Sequence, residues 1–453
     1  MKTKNYDLIV IGGGSGGVRA ARIAALHGAK VALCEKDRMG GTCVIRGCIP
    51  KKLLYYSAQF RDFIDNSSFY GWNINNYDYN LKKMVLNKNK ELKRLENIYE
   101  SNLVKAGVNI FKGEAKFKEK NEVTINNQIL KGKYIIIAVG SSSIELNVEG
   151  SIYAKDSDSV MQLKKVPKNI VIVGAGYIAI EFAFIFSNLG ARVNLIVRKK
   201  ILRGFDESLV KLLTNRLKEK KVNIYFNEQV KSIIKNVDNL NVCLKKSNKI
   251  IKTQEVLTAI GRKPNINSLL LKNVGIKLDN NSAIVVNKKL STNVKNIYAI
   301  GDVTNRVNLT PVAIAEGNAL ADSLFSKKSK KVQLTNIGTA VFSSPPLCSV
   351  GLTEYEAKKK YKLIDVYESK FNSLKYSITK KKVPTYIKLL VYNKNNLIVG
   401  AHMFGEEAPE IIQMVSVAIN AKAKMEDFLN TMAIHPTVAE EIVTFKSPAK
   451  KYR

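Results

Sequence analysis

The sequence has 453 residues, 45% hydrophobic and 25% charged, a composition typical of a globular protein of roughly two to four domains. Its five cysteines are too few for a disulfide-scaffolded secreted domain. The net charge of +35 comes from basic residues scattered over every segment, which favours a compositional bias over a nucleic-acid surface, although such a field would still steer small anions.

The first predicted element is a buried strand over residues 8–11, which follows the N-terminus without a signal-peptide pattern. A turn with Gly12, Gly14 and Gly17 leads into an alanine-rich helix that extends to about residue 28, and the next strand ends at Glu35. Glycine allows close approach to a pyrophosphate, and a carboxylate at Glu35 can accept hydrogen bonds from ribose hydroxyls. The pattern predicts a dinucleotide site for a cofactor with a free ribose 2′-hydroxyl.

The segment GGTCVIRGCIPKKL, residues 40–53, places Cys43 and Cys48 five positions apart. In an ideal helix their Cα atoms would be roughly 8–9 Å apart, whereas a disulfide needs about 4.4–6.8 Å. A disulfide therefore requires a distorted segment, which Gly47 can supply before a helix that we expect to begin near Pro50. A zinc site would need two more ligands, and none of the three histidines is near. A structural disulfide and a redox pair both stay open at this point.

A second copy of the nucleotide pattern spans residues 169–200, NIVIVGAGYIAIEFAFIFSNLGARVNLIVRKK. A strand over residues 170–173 is followed by Gly174, Gly176 and Ala179, a helix to about residue 189 and a strand that ends at Val197. The apolar stretch is interrupted by glycines and charges, so it is not predicted to span a membrane. Two copies imply two bound nucleotides, or a duplication with one inactive copy.

The two copies differ where their second strands end. Glu35 follows Gly12 by 23 residues, and the same offset in the second copy reaches Val197, where no acid is present. Arg198 follows at once and Arg203 is close by. Arginines bind a 2′-phosphate that a carboxylate would repel, so the second site is predicted to take NADPH. The other interpretation is that these are surface cations of a basic protein.

A third signal is TNVKNIYAIGDVTN, residues 292–305, in which a strand delivers Gly301 and Asp302 to a turn. An acid there can hold a ribityl hydroxyl of a flavin, although the same sequence also suits an ordinary turn. Residues 134–140 and 257–265 are each predicted to form a strand that ends in a turn of the same kind. Among the remaining cysteines, Cys348 is predicted to lie in an apolar turn.

These segments, together with RKKILRGFD, LTPVAIAEG and HPTVAEEIV, resemble in order the flavin-dependent pyridine nucleotide-disulfide oxidoreductases, and among their branches the glutathione reductases. The resemblance covers essentially the whole chain. It implies an α/β fold with two Rossmann-like dinucleotide-binding domains and a C-terminal α+β dimerisation domain. The implied boundaries are 1–141 for an FAD domain, 142–264 for an NADPH domain, 265–334 for a central region completing the FAD domain, and 335–453 for an interface domain.

Other branches of the family fit less well. Lipoamide dehydrogenases would be expected to carry an acid near Val197, and several other branches carry a further cysteine pair near the C-terminus, whereas no cysteine follows Cys348 here. The implied activity is NADPH-dependent reduction of glutathione disulfide by a cytoplasmic homodimer, with no nucleic-acid or membrane partner. The alternatives are a reductase of another low-mass disulfide and a basic binding protein on an inactive reductase scaffold.

The resemblance also implies catalytic roles. Cys48 would lie nearer the flavin, and Cys43 would attack the substrate disulfide to form a mixed disulfide. His435 would protonate the leaving thiolate, and Glu440 would orient its ring, with both contributed by the second subunit. The catalytic residues implied are Cys43, Cys48, His435, Glu440, Lys51 and Glu181.

The remaining matches are binding positions, with Lys51 and Glu181 forming an ion pair beside the flavin and Tyr177 covering the nicotinamide pocket. The FAD-binding residues implied are Gly12, Gly14, Ser15, Gly16, Gly17, Glu35, Thr42, Lys51, Ala115, Gly301, Asp302 and Thr310. The NADPH-binding residues implied are Gly174, Ala175, Gly176, Tyr177, Ile178, Glu181, Arg198, Arg203 and Gly261. The substrate-binding residues implied are Ser15, Arg22 and Tyr99, and no metal ligand is implied.

Three positions depart from the family pattern. Asn318 stands where many glutathione reductases carry a substrate-binding arginine, which bears on the substrate. Arg198 and Arg203 are one residue closer together than usual, which bears on the coenzyme. Val139 replaces a common threonine, with no expected consequence for either.

Overall fold

The computed structural model describes residues 3–326 and 331–453. The predicted ranges 1–141 and 265–334 therefore include residues 1–2 and 327–330, which lie outside the described residues. The four boundaries stay our proposal, and the architecture is given below in chain order.

The first region is built on a mixed sheet whose central strands are buried on both faces, as apolar runs in parallel sheets usually are. The sheet has the order β3-β2-β1-β6-β5-β4, and the parallel pairs β1–β2 and β1–β6 form its centre. The elements are β1 (Thr3–Ile11), α1 (Ser15–Leu26), β2 (Val31–Glu35), α2 (Cys48–Asn66), α3 (Leu81–Lys105), β3 (Asn109–Lys112), β4 (Lys116–Glu119), β5 (Glu122–Ile125), β6 (Gln128–Ile137) and β7 (Ser141–Ser143).

The second region repeats the strand–helix–strand plan in a parallel sheet of order β10-β9-β8-β14, beside an antiparallel sheet of order β11-β12-β13. The elements are α4 (Ser157–Val160), β8 (Asn169–Val173), α5 (Tyr177–Asn188), β9 (Arg192–Val197), α6 (Glu207–Glu219), β10 (Asn223–Phe226), β11 (Val230–Lys235), β12 (Leu240–Leu244), β13 (Ile250–Thr253), β14 (Glu255–Thr258) and β15 (Arg262–Pro264). Strands β7 and β15 pair where the chain leaves the first region and returns to it, so the second region is an insertion.

The third region returns to the first sheet, because β16 (Ile297–Ala299) adds in parallel to β6, and α7 (Thr310–Phe325) packs on α1. The last region is an antiparallel sheet of order β17-β18-β21-β20-β19-β22. Its elements are β17 (Thr339–Val341), β18 (Leu347–Gly351), α8 (Glu354–Tyr361), β19 (Ile364–Asn372), β20 (Pro384–Tyr392), β21 (Leu397–Phe404), α9 (Ala408–Asn420), α10 (Met425–Leu429) and β22 (Lys450–Tyr452).

The predicted fold class is confirmed: the chain has two Rossmann-like units and a C-terminal α+β unit. One local prediction was wrong, because Cys348 lies within β18 rather than in a turn and is paired with Met403 of β21. Helix α2 begins at Cys48, two residues before Pro50, as expected. Within residues 3–326 and 331–453, none of the helices combines the length and apolarity needed to cross a lipid bilayer.

Candidate active site

Two helix N-termini are left open by the glycine-rich turns. Helix α1 starts after Gly14 and α5 after Gly176, and neither has a capping side chain or an acidic residue in its first turn. By contrast, Asp206 caps α6 and Thr353 caps α8. Free N–H groups and the positive end of the helix dipole bind phosphate, so each of these two turns is suited to bind an anion.

The first turn is too close-packed to hold side chains. A Cβ at Gly17 would lie 1.9 Å from the Gly12 carbonyl oxygen, and one at Gly12 would lie 2.4 Å from the Ala138 carbonyl oxygen. Gly41 approaches the turn from the other side, where an added Cβ would lie 2.7 Å from Gly14 Cα. This bare backbone cradle fits the pyrophosphate of FAD, with Ser15 and Gly16 in the open first turn of α1.

Glu35 lies at the end of β2 with its carboxylate over the same turn. Its Oε2 accepts from the Gly13 N–H at 2.5 Å, and its Oε1 accepts from the Asp37 N–H at 2.8 Å. The position is the one from which a carboxylate reaches ribose hydroxyls, so Glu35 is suited to the predicted free 2′-hydroxyl.

The turn at Gly301 is held by a carboxylate that the sequence analysis did not single out. Glu316 is buried in α7, and its Oε2 accepts from the Gly301 N–H at 2.8 Å while its Oε1 accepts from Arg306. Asp302 next to it accepts from Ser141 Oγ at 2.7 Å. The sequence could have indicated a role for Glu316, because an acidic residue within the apolar helix segment AIAEG is unusual unless it has a partner.

The cysteine segment has the distortion that its spacing requires. Residues Thr42–Arg46 form a π-helical turn, and at Gly47 the backbone changes direction before α2 begins at Cys48. Cys43 and Cys48 are both free thiols here, and each shifts the pKa of the other. Cys48 Sγ also lies 3.6 Å from Thr310 Oγ1, at the start of α7. The structure therefore brings Thr42, Cys43, Cys48 and Thr310 together.

The two thiols are electrostatically unequal. The hydrogen bond from Cys43 lowers the pKa of Cys48 to about 6, with help from Thr310 and the Lys51 charge against the opposing effect of burial. The same hydrogen bond and burial raise the pKa of Cys43. Cys48 is therefore the thiolate of the reduced pair at neutral pH.

A buried ion pair joins the two nucleotide-binding units next to the cysteines. Lys51 Nζ in α2 lies 2.7 Å from Glu181 Oε1 in α5, with side chains only 11% and 3% exposed. Glu181 Oε1 also accepts from the Phe342 N–H at 2.9 Å, and the Lys51 ammonium lies 4.2 Å from the Phe342 ring centroid. The predicted pairing of Lys51 with Glu181 is present in the structure.

On the second unit, the predicted NADPH residues surround the turn at Gly174. A Cβ at Gly174 would lie 2.3 Å from the Ala259 carbonyl oxygen, while Tyr177 at the start of α5 is 44% exposed. Val197 is buried, and Arg198 and Arg203 are exposed in the loop that follows. Ala175, Gly176 and Ile178 flank the open end of α5, and Gly261 follows β14.

The predicted substrate residues lie on α1 and α3. Arg22 is exposed on α1, seven residues after Ser15. Tyr99 is half-buried on α3, where burial and the nearby Cys43 raise its pKa while the charge of Arg19 opposes them. Arg19 is thus a cation near Tyr99 that the sequence analysis missed, although it is one helical turn from Arg22.

Two predicted positions have other local partners or surroundings. The Asn318 amide donates to Asp322 Oδ2 at 2.9 Å within α7. Ala115 is buried just before β4, packed into the core around the first sheet. Asn318 is therefore engaged in its own helix.

The structure does not bring His435 to the cysteines within one chain. His435 Nδ1 lies 2.9 Å from Glu440 Oε2, but its side chain is 80% exposed. Among the described residues no hydrogen bond links it to Cys43 or Cys48. No cluster of three or more His, Cys, Asp or Glu side chains suited to a metal ion occurs in the described part of the chain either.

Comparison with known proteins agrees with this geometry. Residues 6–317 match the family described as pyridine nucleotide-disulphide oxidoreductase, and residues 337–445 match its dimerisation domain. A glutathione reductase of Burkholderia cepacia is 41% identical, covering 99% of this chain and 100% of that protein. The chloroplastic/mitochondrial glutathione reductase of Pisum sativum is 40% identical over 99% of this chain and 84% of its own.

A glutathione reductase of Nostoc sp. is also 40% identical, over 98% of this chain and 100% of its own length. The two family matches together include the first glycine turn and most of the C-terminal sheet. Two open glycine turns, a cysteine pair between them and a separate C-terminal sheet are the parts that such an enzyme needs. The chain belongs to the pyridine nucleotide-disulphide oxidoreductase family.

Proposed function

We propose that this chain uses NADPH to reduce glutathione disulfide to two glutathione molecules, with FAD as its bound cofactor. The observation that carries the proposal is the position of Cys43 and Cys48 beside the Lys51–Glu181 pair, where the two nucleotide-binding units meet. Relatives named glutathione reductase, at 40–41% identity over nearly the whole chain, favour this substrate over another low-mass disulfide.

The cradle at Gly12–Gly17, with Glu35 and Asp302, would hold FAD, and the turn at Gly174 with Arg198 and Arg203 would hold NADPH. The chemistry that a bound flavin supplies is the transfer of two electrons from NADPH to the Cys43–Cys48 disulfide. The ion pair between Lys51 and Glu181 holds α2, which begins at Cys48, against α5 of the NADPH-binding unit.

The cysteines then act in sequence. After the disulfide is opened, Cys43 gives up its thiol proton as its sulfur attacks one sulfur of glutathione disulfide, so that one S–S bond breaks and a Cys43–glutathione disulfide forms. The first glutathione leaves as a thiolate and takes up the proton that Cys43 released. The Cys48 thiolate next attacks the Cys43 sulfur, which re-forms the protein disulfide and releases the second glutathione. The low pKa of Cys48 keeps it ready for that second attack.

The proton for each leaving thiolate would come from His435, held by Glu440. Because His435 is exposed in the single chain, we propose that it completes the site of a second subunit in a homodimer. The C-terminal region that carries it matches a dimerisation domain. Each dimer would then have two sites, each built from both chains.

Glutathione disulfide carries carboxylates, and the site offers cations for them. Tyr99 on α3 is influenced electrostatically by both Cys43 and Arg19, Arg22 lies one helical turn beyond Arg19 on α1, and Ser15 lies at the start of that helix. The net charge of +35 adds a general attraction for an anionic substrate. We further propose a cytoplasmic location, because a thiol-producing, NADPH-consuming enzyme serves a reducing compartment.

The test is direct. The purified protein should be yellow and should consume NADPH, followed at the coenzyme absorbance band, only when glutathione disulfide is present. Cys43→Ser should abolish turnover while keeping the flavin. Turnover with a different disulfide and none with glutathione disulfide would contradict the substrate, and a colourless protein that binds DNA in a salt-dependent way would contradict the enzyme.

The shared site has its own test. Cys43→Ser and His435→Ala subunits are each expected to form inactive homodimers. Mixing equal amounts after dissociation should restore about a quarter of wild-type activity, because half of the dimers are hybrids and each hybrid has one intact site. No recovery in a mixture shown to contain hybrids would contradict the contribution of His435 from the second subunit.

A further inference from the structure

A lysine without solvent contact joins the coenzyme-binding unit to the C-terminal sheet. Lys388 lies in β20, and its side chain is 0% exposed. Its Nζ is 2.8 Å from Asp206 Oδ1, 2.8 Å from Ser208 Oγ and 2.7 Å from Glu354 Oε2. Three acceptors use its three N–H donors, which is what a buried ammonium requires.

Asp206 is the last residue of the segment 198–206, which we call the coenzyme loop. Its carboxylate is held from both sides: Oδ1 accepts from Ser208 N–H at 3.1 Å and Oδ2 accepts from Glu354 N–H at 3.1 Å. Burial opposes its ionisation, but His402 and the Lys388 ammonium lower the pKa of Asp206 below its ordinary value. The end of the loop is therefore a fixed negative charge locked to another region.

The coenzyme loop is fixed at a second point. Leu202 N–H donates to the Ala175 carbonyl at 2.8 Å, which ties the loop to the turn that receives the coenzyme. Arg203 follows Leu202 and precedes Asp206 by three residues, so it lies between the two fixed points. Because the backbone is held at Leu202 and at Asp206, the exposed Arg203 side chain extends from a short segment of restricted conformation.

The outer end of the lysine cluster reaches the last strand. Glu354 Oε1 accepts from Tyr452 OH at 2.6 Å, and Tyr452 belongs to β22. Burial opposes ionisation of Glu354 too, but Lys388 and Tyr452 lower the pKa of Glu354. The chain of contacts from Tyr452 through Glu354 and Lys388 to Asp206 therefore braces the coenzyme loop against the C-terminal sheet.

We propose that Lys388 is a positioning residue for coenzyme selection, which holds Asp206 so that the coenzyme loop presents Arg203 to the 2′-phosphate of NADPH. The inference rests on the proposed use of NADPH by the second unit. Lys388 touches no coenzyme itself. By holding the loop, Lys388 reduces the conformational entropy that Arg203 loses when NADPH binds. NADH lacks the 2′-phosphate, so its affinity does not depend on where Arg203 lies.

The experiment measures coenzyme binding without any disulfide substrate. The FAD-loaded Lys388→Met protein is titrated with NADP⁺ and with NAD⁺, and the two Kd values are compared with the wild type. We expect the preference for the phosphorylated coenzyme to fall about tenfold, since a badly placed arginine forfeits one charge-assisted hydrogen bond. Lys388→Arg keeps the charge and should recover most of the preference.

Lys381→Met is the matched control. Lys381 Nζ pairs with Asp62 Oδ1 at 3.1 Å and also joins the C-terminal region to another part of the chain, but it does not contact the coenzyme loop. It should lower the thermal stability and leave the coenzyme preference unchanged. An equal loss of preference in Lys381→Met would overturn the proposal.

The remaining outcomes separate the inference from the proposed function. A wild-type protein without preference for NADP⁺ would overturn both. If the preference for NADP⁺ survives in Lys388→Met, including the case in which the affinities for both coenzymes fall by the same factor, the role of Lys388 alone is overturned. If Lys388→Met does not fold, Asp206→Asn decides in the same way, because it keeps a side chain of the same shape without the charge that Lys388 holds.

Discussion

The two glycine turns are built alike in backbone and differently in side chains. In the first, the Gly12 N–H donates to the Cys34 carbonyl at 2.8 Å, and in the second the Gly174 N–H donates to the Ile196 carbonyl at 3.0 Å. In each, a Cβ on the first glycine would collide with the carbonyl of the residue that follows the neighbouring strand. The shared backbone geometry indicates that both turns are suited to the same task, which is to bind a phosphate at a helix N-terminus.

The differences lie in the side chains that follow the second strand of each unit. Glu35 reaches back to the first turn, whereas Val197 is buried and leaves the second turn to Arg198 and Arg203. Gly17 in the first helix has no room for a methyl group, while Ala179 in the second is accommodated in the core. The first turn is therefore more closely packed at this position than the second, and the second is followed by an exposed basic loop.

The largest effect is expected from a substitution that disrupts the first glycine turn, at Gly12–Gly17. Gly17→Ala should lower FAD affinity more than about 100-fold, because its Cβ would lie 1.9 Å from the Gly12 carbonyl oxygen and the turn must move. The measurement is the flavin absorbance per polypeptide after purification. Ala179→Gly is the matched change in the second unit, and it should cost about 1 kcal/mol of stability while both nucleotides still bind. A fully flavinated Gly17→Ala protein would contradict the role of the cradle.

The next effect removes the cations of the second turn. The double variant Arg198→Ala/Arg203→Ala should raise the KM for NADPH about 100-fold and leave that for NADH unchanged, since two charge-assisted hydrogen bonds to the 2′-phosphate are lost. Steady-state kinetics with both coenzymes give the result. Arg192→Ala, at the opposite end of β9, is the control and should change neither KM. Equal increases for both coenzymes would refute the phosphate-binding role.

A smaller effect is expected at the buried carboxylate of Glu316, which supports the Gly301 turn. Glu316→Gln should weaken FAD binding about tenfold, because the Gly301 turn loses a charge-assisted hydrogen bond and Arg306 loses its counter-ion. Titration of the apoprotein with FAD measures it, and coenzyme affinity should not change. Asp322→Asn, farther along the same helix, is the control. Unchanged FAD affinity in Glu316→Gln would show that the turn holds without it.

The smallest effect tests the contact between the two units. In the reduced protein the pKa of Cys48 is lowered from its ordinary 9.0 to about 6, so Cys48 is expected to remain a thiolate until the pH falls to about 6, while the raised pKa of Cys43 keeps that thiol protonated. Lys51→Met should move the pKa upward, because one stabilising charge is lost. The pH dependence of Cys48 alkylation, located by mass spectrometry, measures the shift.

The control for that shift is Lys52→Met. Lys52 neighbours Lys51 in sequence, but its ammonium lies over the Phe342 ring, 3.4 Å from the centroid, and it does not pair with Glu181. Its removal should leave the Cys48 titration in place. A shift of the same size in both variants would mean that general positive charge, rather than the specific position of the Lys51 ammonium, contributes to the low pKa of Cys48.

Much of the site could be predicted from short stretches of sequence. The glycines, Glu35 and the basic run after Val197 lie within about 30 residues of their own turn, where backbone preference and strand–helix periodicity decide the geometry. The support from Glu316 and the proximity of Arg19 to Tyr99 could not be predicted in this way. They depend on how separate helices pack, which local patterns do not encode.

The sequence by itself determined two phosphate-binding turns, their different second strands and the need for a distorted cysteine segment. Only the tertiary structure decided what those parts contact. Lys51 and Glu181 are 130 residues apart, and Lys388 and Asp206 are 182 apart, yet each pair is buried and in contact. The physical reason is that local backbone geometry follows from neighbouring residues, whereas a buried ion pair forms only where packing removes water from both partners at once.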